Sequence, residues 1–303
     1  MTRTKAAWML LLAAALWGFA FLFQKRAMSH VGPLTFIASR GVVASVALVP
    51  LAWWEAKRRT LAVRPGPLSP GLLRWSVAGG LAFFLAAWLQ QSGLQTASVT
   101  NSGFLTALYV VLTPLLAWAL ARQAPSRFVW FAVAVSALGT WLLGGGAFAA
   151  FSRGDARVAS SALFWAGHVV ITGQASRSGR PLAFTLIGFV LVSVLGGVGA
   201  VAFELPSAAG LAEAALDIAY VGLLSSAVAF LLLILAMQHL PPAEAAIIAS
   251  TETVFAASAA YVFLGERLSA PGWVGAALIV LASVFVQVGP TLLPGAERLA
   301  PPA

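Results

Sequence analysis

Ten long apolar runs, separated by short stretches of proline, glycine and charge, leave this 303-residue chain few ways to fold. About 20 apolar residues span the hydrocarbon core as a helix, and there every backbone N–H and C=O must find its partner inside the protein. The runs lie near residues 6–24, 34–54, 72–93, 98–120, 128–146, 158–174, 182–203, 215–236, 243–264 and 272–289. Between them, "VGPL", "RPGPLSP", "QAPSR", "SGRP", "LPPAE" and "SAPG" supply residues that stop helices. Hydrophobic residues make up 60% of the chain and charged ones 9%, whereas a soluble domain carries about a quarter charged residues. The expected fold class is all-α integral membrane, with ten transmembrane helices.

The net charge of +9 would suggest nucleic acid in a soluble protein. Here the bases sit in short loops, where membrane topology explains them better. With the N-terminus cytoplasmic, twelve lysines and arginines fall on the cytoplasmic side, five on the other, and Arg40 lies inside the second span. Both termini are therefore expected in the cytoplasm, with the chain multi-pass in the inner (plasma) membrane. Much of this bias rests on "EAKRRTLAVRPG". The basic, apolar start resembles a secretory signal but reads as the first span, because its apolar run continues through "WGFAFLF". Without cysteine there is no disulfide framework, thiolate nucleophile or thiolate metal site.

The chain also resembles itself. A shift of 143 places Gln95 on Gln238, Ser126 on Ser269 and Trp130 on Trp273, and a shift of 148 places Trp17 on Trp165, Pro33 on Pro181 and Phe36 on Phe184. The expected domains are residues 1–150 and 151–303, five helices each. A five-crossing unit ends on the side opposite its start, so the second copy must be inverted. Inverted repeats are characteristic of secondary transporters, with the substrate site between the halves near the bilayer midplane.

Three stretches carry a family resemblance: "LLLAAALWGFAFLFQKRAMSHVGPLTFIASRG", "GDARVASSALFWAGHVVITGQASR" and "YVFLGERLSAPGWVGAALIVLASV". The whole chain resembles the EamA-type, ten-helix branch of the drug/metabolite transporter superfamily, whose aromatic amino-acid exporters are a compatible subgroup. The resemblance implies export of small organic metabolites, often amino acids, through a cavity lined by both repeats. Members of that family commonly carry proline after the glutamate of the ninth helix. This chain has Thr253 there, which removes the chemical reason for assuming a kink.

Helical spacing selects candidate substrate-binding residues. Trp17, Phe21 and Gln24 share one face of the first span, and Trp165, His168 and Thr172 share one face of the sixth. In the fourth span, Ser102, Thr106, Tyr109 and Thr113 form a stripe, and the repeat places Glu252 of the ninth span at the position of Tyr109. A carboxylate inside an apolar span has three readings: it fixes packing, accepts a substrate ammonium, or exchanges a proton. Gln90, Gln91 and Asn101 either orient a zwitterion or bridge helix ends. His168 is either a satisfied core group or a substrate contact, while Trp17 and Trp165 favour cavity lining over interfacial anchoring.

Other charges have blander readings. Glu244 suits the first turn of its helix as a cap, Glu266 and Arg267 suit a local or interhelical pair, and Arg40 either meets a buried carboxylate or snorkels. The "LLGGGAF" segment lacks the lysine and hydroxyl of a phosphate loop. No residue set suggests a metal or cofactor, and no segment suggests ATP drive. The expected partners are a small-molecule substrate and the bilayer, without nucleic acid, in a chain compatible with a monomer. The leading expectation is a secondary exporter of amino acids, not an enzyme. The alternatives are an exporter of drug-like or cationic metabolites, a lipid-modifying enzyme built on His168 and Glu252, and a passive channel.

Overall fold

A computed structural model of the protein describes residues 2–60, 70–122, 124–143 and 152–292. Much of the basic loop, the three glycines of the glycine-rich segment and the tail with Arg298 lie outside the described residues. The described residues are helical, without strands: α1 (Arg3–Ala27), α2 (Pro33–Thr60), α3 (Pro70–Leu94), α4 (Val99–Thr106), α5 (Tyr109–Ala121), α6 (Arg127–Leu143), α7 (Arg153–Ser176), α8 (Pro181–Phe203), α9 (Ala208–Glu213), α10 (Ala215–Tyr220), a π-helical segment (Val221–Val228), α11 (Ala229–Ala236), α12 (Pro242–Ala249), α13 (Glu252–Leu264) and α14 (Ala270–Leu292).

Eight stretches are long and apolar enough to cross a membrane, counting α4 with α5, α10 through α11, and α12 with α13 as continuous. Length and apolarity alone therefore do not carry all ten expected crossings. At 17 residues α6 is shorter. The 24-residue α7 begins with Arg153, Asp155 and Arg157 and carries serines, glycines and His168, which lower its apolarity.

Three expected spans depart from one continuous α-helix: the eighth carries the π-helical segment between α10 and α11, and two others break. The fourth breaks at Ala107 and Leu108 and the ninth at Ser250 and Thr251. At both places the backbone tightens to i→i+3 hydrogen bonds, Val110 N to Ala107 O at 2.9 Å and Thr253 N to Ser250 O at 3.1 Å. Around the second break hydroxyls bond back to preceding carbonyls: Ser250 to Ile247, Thr251 to Ile248 and Thr253 to Ser250, at 2.7–2.8 Å. The ninth span thus breaks without the proline whose absence argued against a kink. Both spans then end on a left-handed residue, Arg122 at φ 53° and Gly265 at φ 69°; glycine takes this conformation without steric cost, and arginine does not.

α2 and α8 pack along each other and cap one another. Glu204, just past α8, accepts from the backbone N–H of Leu34 and Thr35, both at 2.8 Å, in the first turn of α2. Glu55 in the last turns of α2 accepts from Leu182 and Ala183, at 3.1 and 3.2 Å, in the first turn of α8. Each carboxylate meets the positive end of the other helix's dipole and satisfies N–H groups that have no intrahelical partner. α6 and α14 pack as another close pair, where Gly139 and Gly275 bring backbones together: a Cβ on Gly275 would collide with the Gly139 carbonyl. The outer surface carries exposed Trp8, Trp53, Trp54, Trp118 and Trp273 among Leu and Val, as a lipid-facing surface requires.

The α6–α14 contact leaves no room for a side chain at its closest point. Gly275→Val is expected to cost about 1–3 kcal/mol, read as a lower melting temperature in detergent. An unchanged melting temperature would contradict this packing.

Candidate functional site

A central cavity with about 600 Å³ of empty space, its mouth included, opens among the helices. α1 contributes Trp17, Phe21 and Gln24, and α2 contributes Arg40. Gln90, Thr106 and Tyr109 come from α3, α4 and α5, and Trp165, His168 and Val169 from α7. The far wall holds Ser225, Phe230 and Leu233, then Ala245, Ala246 and Ala249 of α12, and Glu252 at the start of α13. Neither α6 nor α14 supplies a lining residue. Small side chains along α12 leave the space, and aromatic rings shape it.

Eight of the eleven candidate residues line this cavity: Trp17, Phe21, Gln24, Gln90, Tyr109, Trp165, His168 and Glu252. Three do not. Gln91 is fully buried, and its Nε2 reaches Met28 Sδ at 3.5 Å. Asn101 Nδ2 donates to Asp155 Oδ1, tying α4 to α7. Thr172 lines a smaller neighbouring cavity with Gly79, Gly80, Phe184 and Thr185. Phe83, Phe230 and His168 border that second space, and the same rings pack edge to face at centroid distances of 5.0–5.5 Å with Trp165 nearby. An aromatic wall therefore interrupts the polar path.

The two tryptophans differ in their partners. Trp17 Nε1 donates to the Ser225 carbonyl at 2.9 Å, a carbonyl in the π-helical segment; such segments often mark functional positions. Trp165 Nε1 is buried with no hydrogen-bond partner. The equivalent tryptophans therefore stand inside the bundle, while others face outward. His168 is fully engaged: Nδ1 meets Gly79 O at 2.9 Å and Nε2 meets Thr172 Oγ1 at 3.3 Å. Gln90 Nε2 donates to Thr106 Oγ1 at 2.8 Å.

Glu252 is 5% exposed, stands beside Tyr109, and leaves Oε1 without a hydrogen-bond partner. A buried carboxylate oxygen without a donor is costly, while the same carboxylate is within hydrogen-bonding reach of the Tyr109 hydroxyl. Gln24 Oε1 is likewise buried and unpartnered. Spacing did not assign Arg40, Ser225 or Phe230 to the cavity. Arg40 was detectable as a cation inside the second span, but its direction was not; Ser225 and Phe230 were hidden because the π-helical segment shifts the face that 3.6-residue periodicity assigns.

Several charges have partners that spacing did not suggest. Glu244 forms an ion pair with Arg3, joining α12 to α1, as well as standing in the first turn of its helix. Glu266 accepts from Thr100 Oγ1, while Arg267 lies over Tyr261, 5.5 Å from the ring centroid. Glu266 and Arg267 therefore do not form the expected pair with each other; the turn sends them to different neighbours. Arg40 meets no carboxylate within ion-pair distance among the described residues. No cluster of three metal-ligating residues occurs among the described residues.

Fold and cavity together define a multi-pass helical membrane protein with a central cavity. The chain belongs to the EamA-like transporter family, which it matches over residues 4–145 and again over 152–288. It is 27% identical to an uncharacterized transporter of Archaeoglobus fulgidus over 92% of this chain and 84% of that protein. It is 24% identical to the uncharacterized transporter YwfM of Bacillus subtilis over 92% of this chain and 93% of that one. One crystal structure, at 20% identity, shares the fold with a TM-score of 0.74 over 98% of this chain and 100% of its own.

Both ring nitrogens of His168 are bonded inside the bundle, a contact that ties α7 to α3 in a packing role. His168→Ala is expected to cost about 1–3 kcal/mol of stability, visible as a lower melting temperature in detergent. Wild-type stability would contradict that role.

Proposed function

We propose that the protein is a secondary exporter of small zwitterionic metabolites, amino acids foremost, and that two inverted five-helix halves rock about the central cavity. The observation that carries this reading is Glu252, whose buried, unpartnered carboxylate oxygen lines a cavity shaped by aromatic rings and small apolar side chains. A substrate ammonium would satisfy it, and the rings offer a surface for an apolar or aromatic side chain.

The inverted repeat is supported by element boundaries. α4 and α12, α5 and α13, and the starts of α6 and α14 each differ by 143 residues, as do the left-handed Arg122 and Gly265. The starts of α2 and α8, both at proline, differ by 148. Equivalent residues line the cavity in pairs: Trp17 with Trp165, Phe21 with Val169, Gln90 with Leu233, Thr106 with Ala249 and Tyr109 with Glu252. Asn101 and Glu244 are also equivalent, and each ties its helix to the start of α7 or α1. On this reading residues 1–150 and 151–303 are the two halves, and both termini face the cytoplasm from the inner membrane.

His168 with Glu252 would be the acid–base pair of a lipid-modifying enzyme in this cavity, and the engaged ring nitrogens of His168 disfavour it. The aromatic wall disfavours a passive channel.

The test is uptake by sealed proteoliposomes across a panel of neutral amino acids and organic cations, with and without an imposed pH gradient. Uptake of at least one zwitterion and at least a tenfold loss in Glu252→Gln are expected. Unaffected transport in the variant would remove Glu252 from substrate binding, and uptake of cations alone would favour export of cationic metabolites.

A further inference from the structure

Arg40 is a cation buried in a membrane helix, 2% exposed, lining the same cavity as Glu252. Its Nε donates to Ser226 Oγ at 2.9 Å, and Ser226 Oγ in turn donates to Val221 O at 2.7 Å. Both serve to aim the side chain: Ser226 belongs to the π-helical segment, whose widened turn brings the hydroxyl against α2. The guanidinium also stands 5.5 Å from the Phe83 ring centroid, on the aromatic wall. A guanidinium offers five donors in a fixed plane. Here one is used by Ser226, and no carboxylate among the described residues pairs with the charge.

An intramembrane arginine held by a hydroxyl and a ring, but left without an anion, is costly unless something supplies one. Among the described residues lining the cavity, the opposite charge stands only at Glu252, which forms no ion pair with Arg40. Three buried atoms of the described lining residues have no hydrogen-bond partner: Trp165 Nε1, a donor, and Gln24 Oε1 and Glu252 Oε1, both acceptors. A cavity serving only organic cations has no use for a buried guanidinium on its wall.

We infer that Arg40 is the specificity residue of this cavity: it holds the carboxylate of the substrate by paired N–H donors while Glu252 holds the ammonium. The inference rests on the amino-acid reading given above and adds a second charged anchor to it. A zwitterion fills both vacancies with one molecule, and neither a simple amine nor a simple carboxylate does so. Arg40 and Glu252 together thus select the α-amino acid class, and the aromatic rings lining the same cavity select among its side chains.

The experiment uses purified full-length protein and two pairs of probes: L-phenylalanine with phenethylamine, and L-leucine with 3-methylbutylamine. Each amine keeps the apolar group and ammonium but lacks the carboxylate. Wild-type protein is expected to bind at least one amino acid at least tenfold more tightly than its amine, by calorimetry in detergent and by competition in proteoliposome uptake. In Arg40→Gln that preference is expected to fall at least tenfold, and Arg40→Lys is expected to restore part of it. Equal wild-type binding of amino acid and amine would overturn the role of Arg40 whether or not Arg40→Gln folds. So would an unchanged preference in a folded Arg40→Gln. Failure of the wild type to bind or transport either amino acid would instead contradict the amino-acid reading itself.

Discussion

A helix in hydrocarbon cannot leave its own backbone unsatisfied unless protein or enclosed water takes over the lost bonds. Among the described residues, regular α-helix is interrupted at three places within the apolar stretches: Ala107–Leu108, Ser250–Thr251 and the π-helical segment at Val221–Val228. Each lies beside the central cavity. The first precedes Tyr109, the second precedes Glu252, and the third holds Ser225. Tightened turns, serine and threonine hydroxyls and the Trp17 indole N–H occupy carbonyls around these interruptions. The arrangement of the site follows from where the protein tolerates irregular backbone.

The same constraint sorts the charges. Glu204 and Glu55 cap helix starts, Asp217 pairs with Arg26 at 2.6 Å, Glu244 pairs with Arg3, and Asp155 closes a capping box with Ser152 while accepting from Asn101. These groups hold helix ends together. Arg40 and Glu252 differ, since each is buried, lines the cavity and lacks an ion-pair partner among the described residues. The contrast separates architecture from binding more sharply than burial alone, because buried charge is tolerated here wherever it is paired.

Most of the helices were legible in the sequence, because proline and glycine punctuate the apolar runs and the hydrocarbon thickness fixes run length. α7 was legible only through its place in the pattern, not through its apolarity. The helix breaks were not legible. Neither carries a proline at the break, and a run such as "IIASTETVF" gives no local reason to stop. For the site, i, i+4, i+7 spacing together with the repeat found residues on α1 and α7 and the Tyr109–Glu252 equivalence. Spacing failed where helix geometry changes: Ser225 and Phe230 lie within or just beyond the π-helical segment. Gln91 and Asn101 take the helix-bridging alternative, and Thr172 lines a neighbouring space.

The central claim is that two equivalent halves stand upside down to one another around this cavity. The chain has no cysteine, so single cysteines report their location without background. Gln95 and Gln238 occupy equivalent positions at the ends of α3 and α11, and both are exposed. With Gln95→Cys and Gln238→Cys in intact cells, a membrane-impermeant maleimide is expected to label the first from outside and the second only after the cells are opened. Labelling of both from the same side would contradict the inverted arrangement and the alternating-access account built on it.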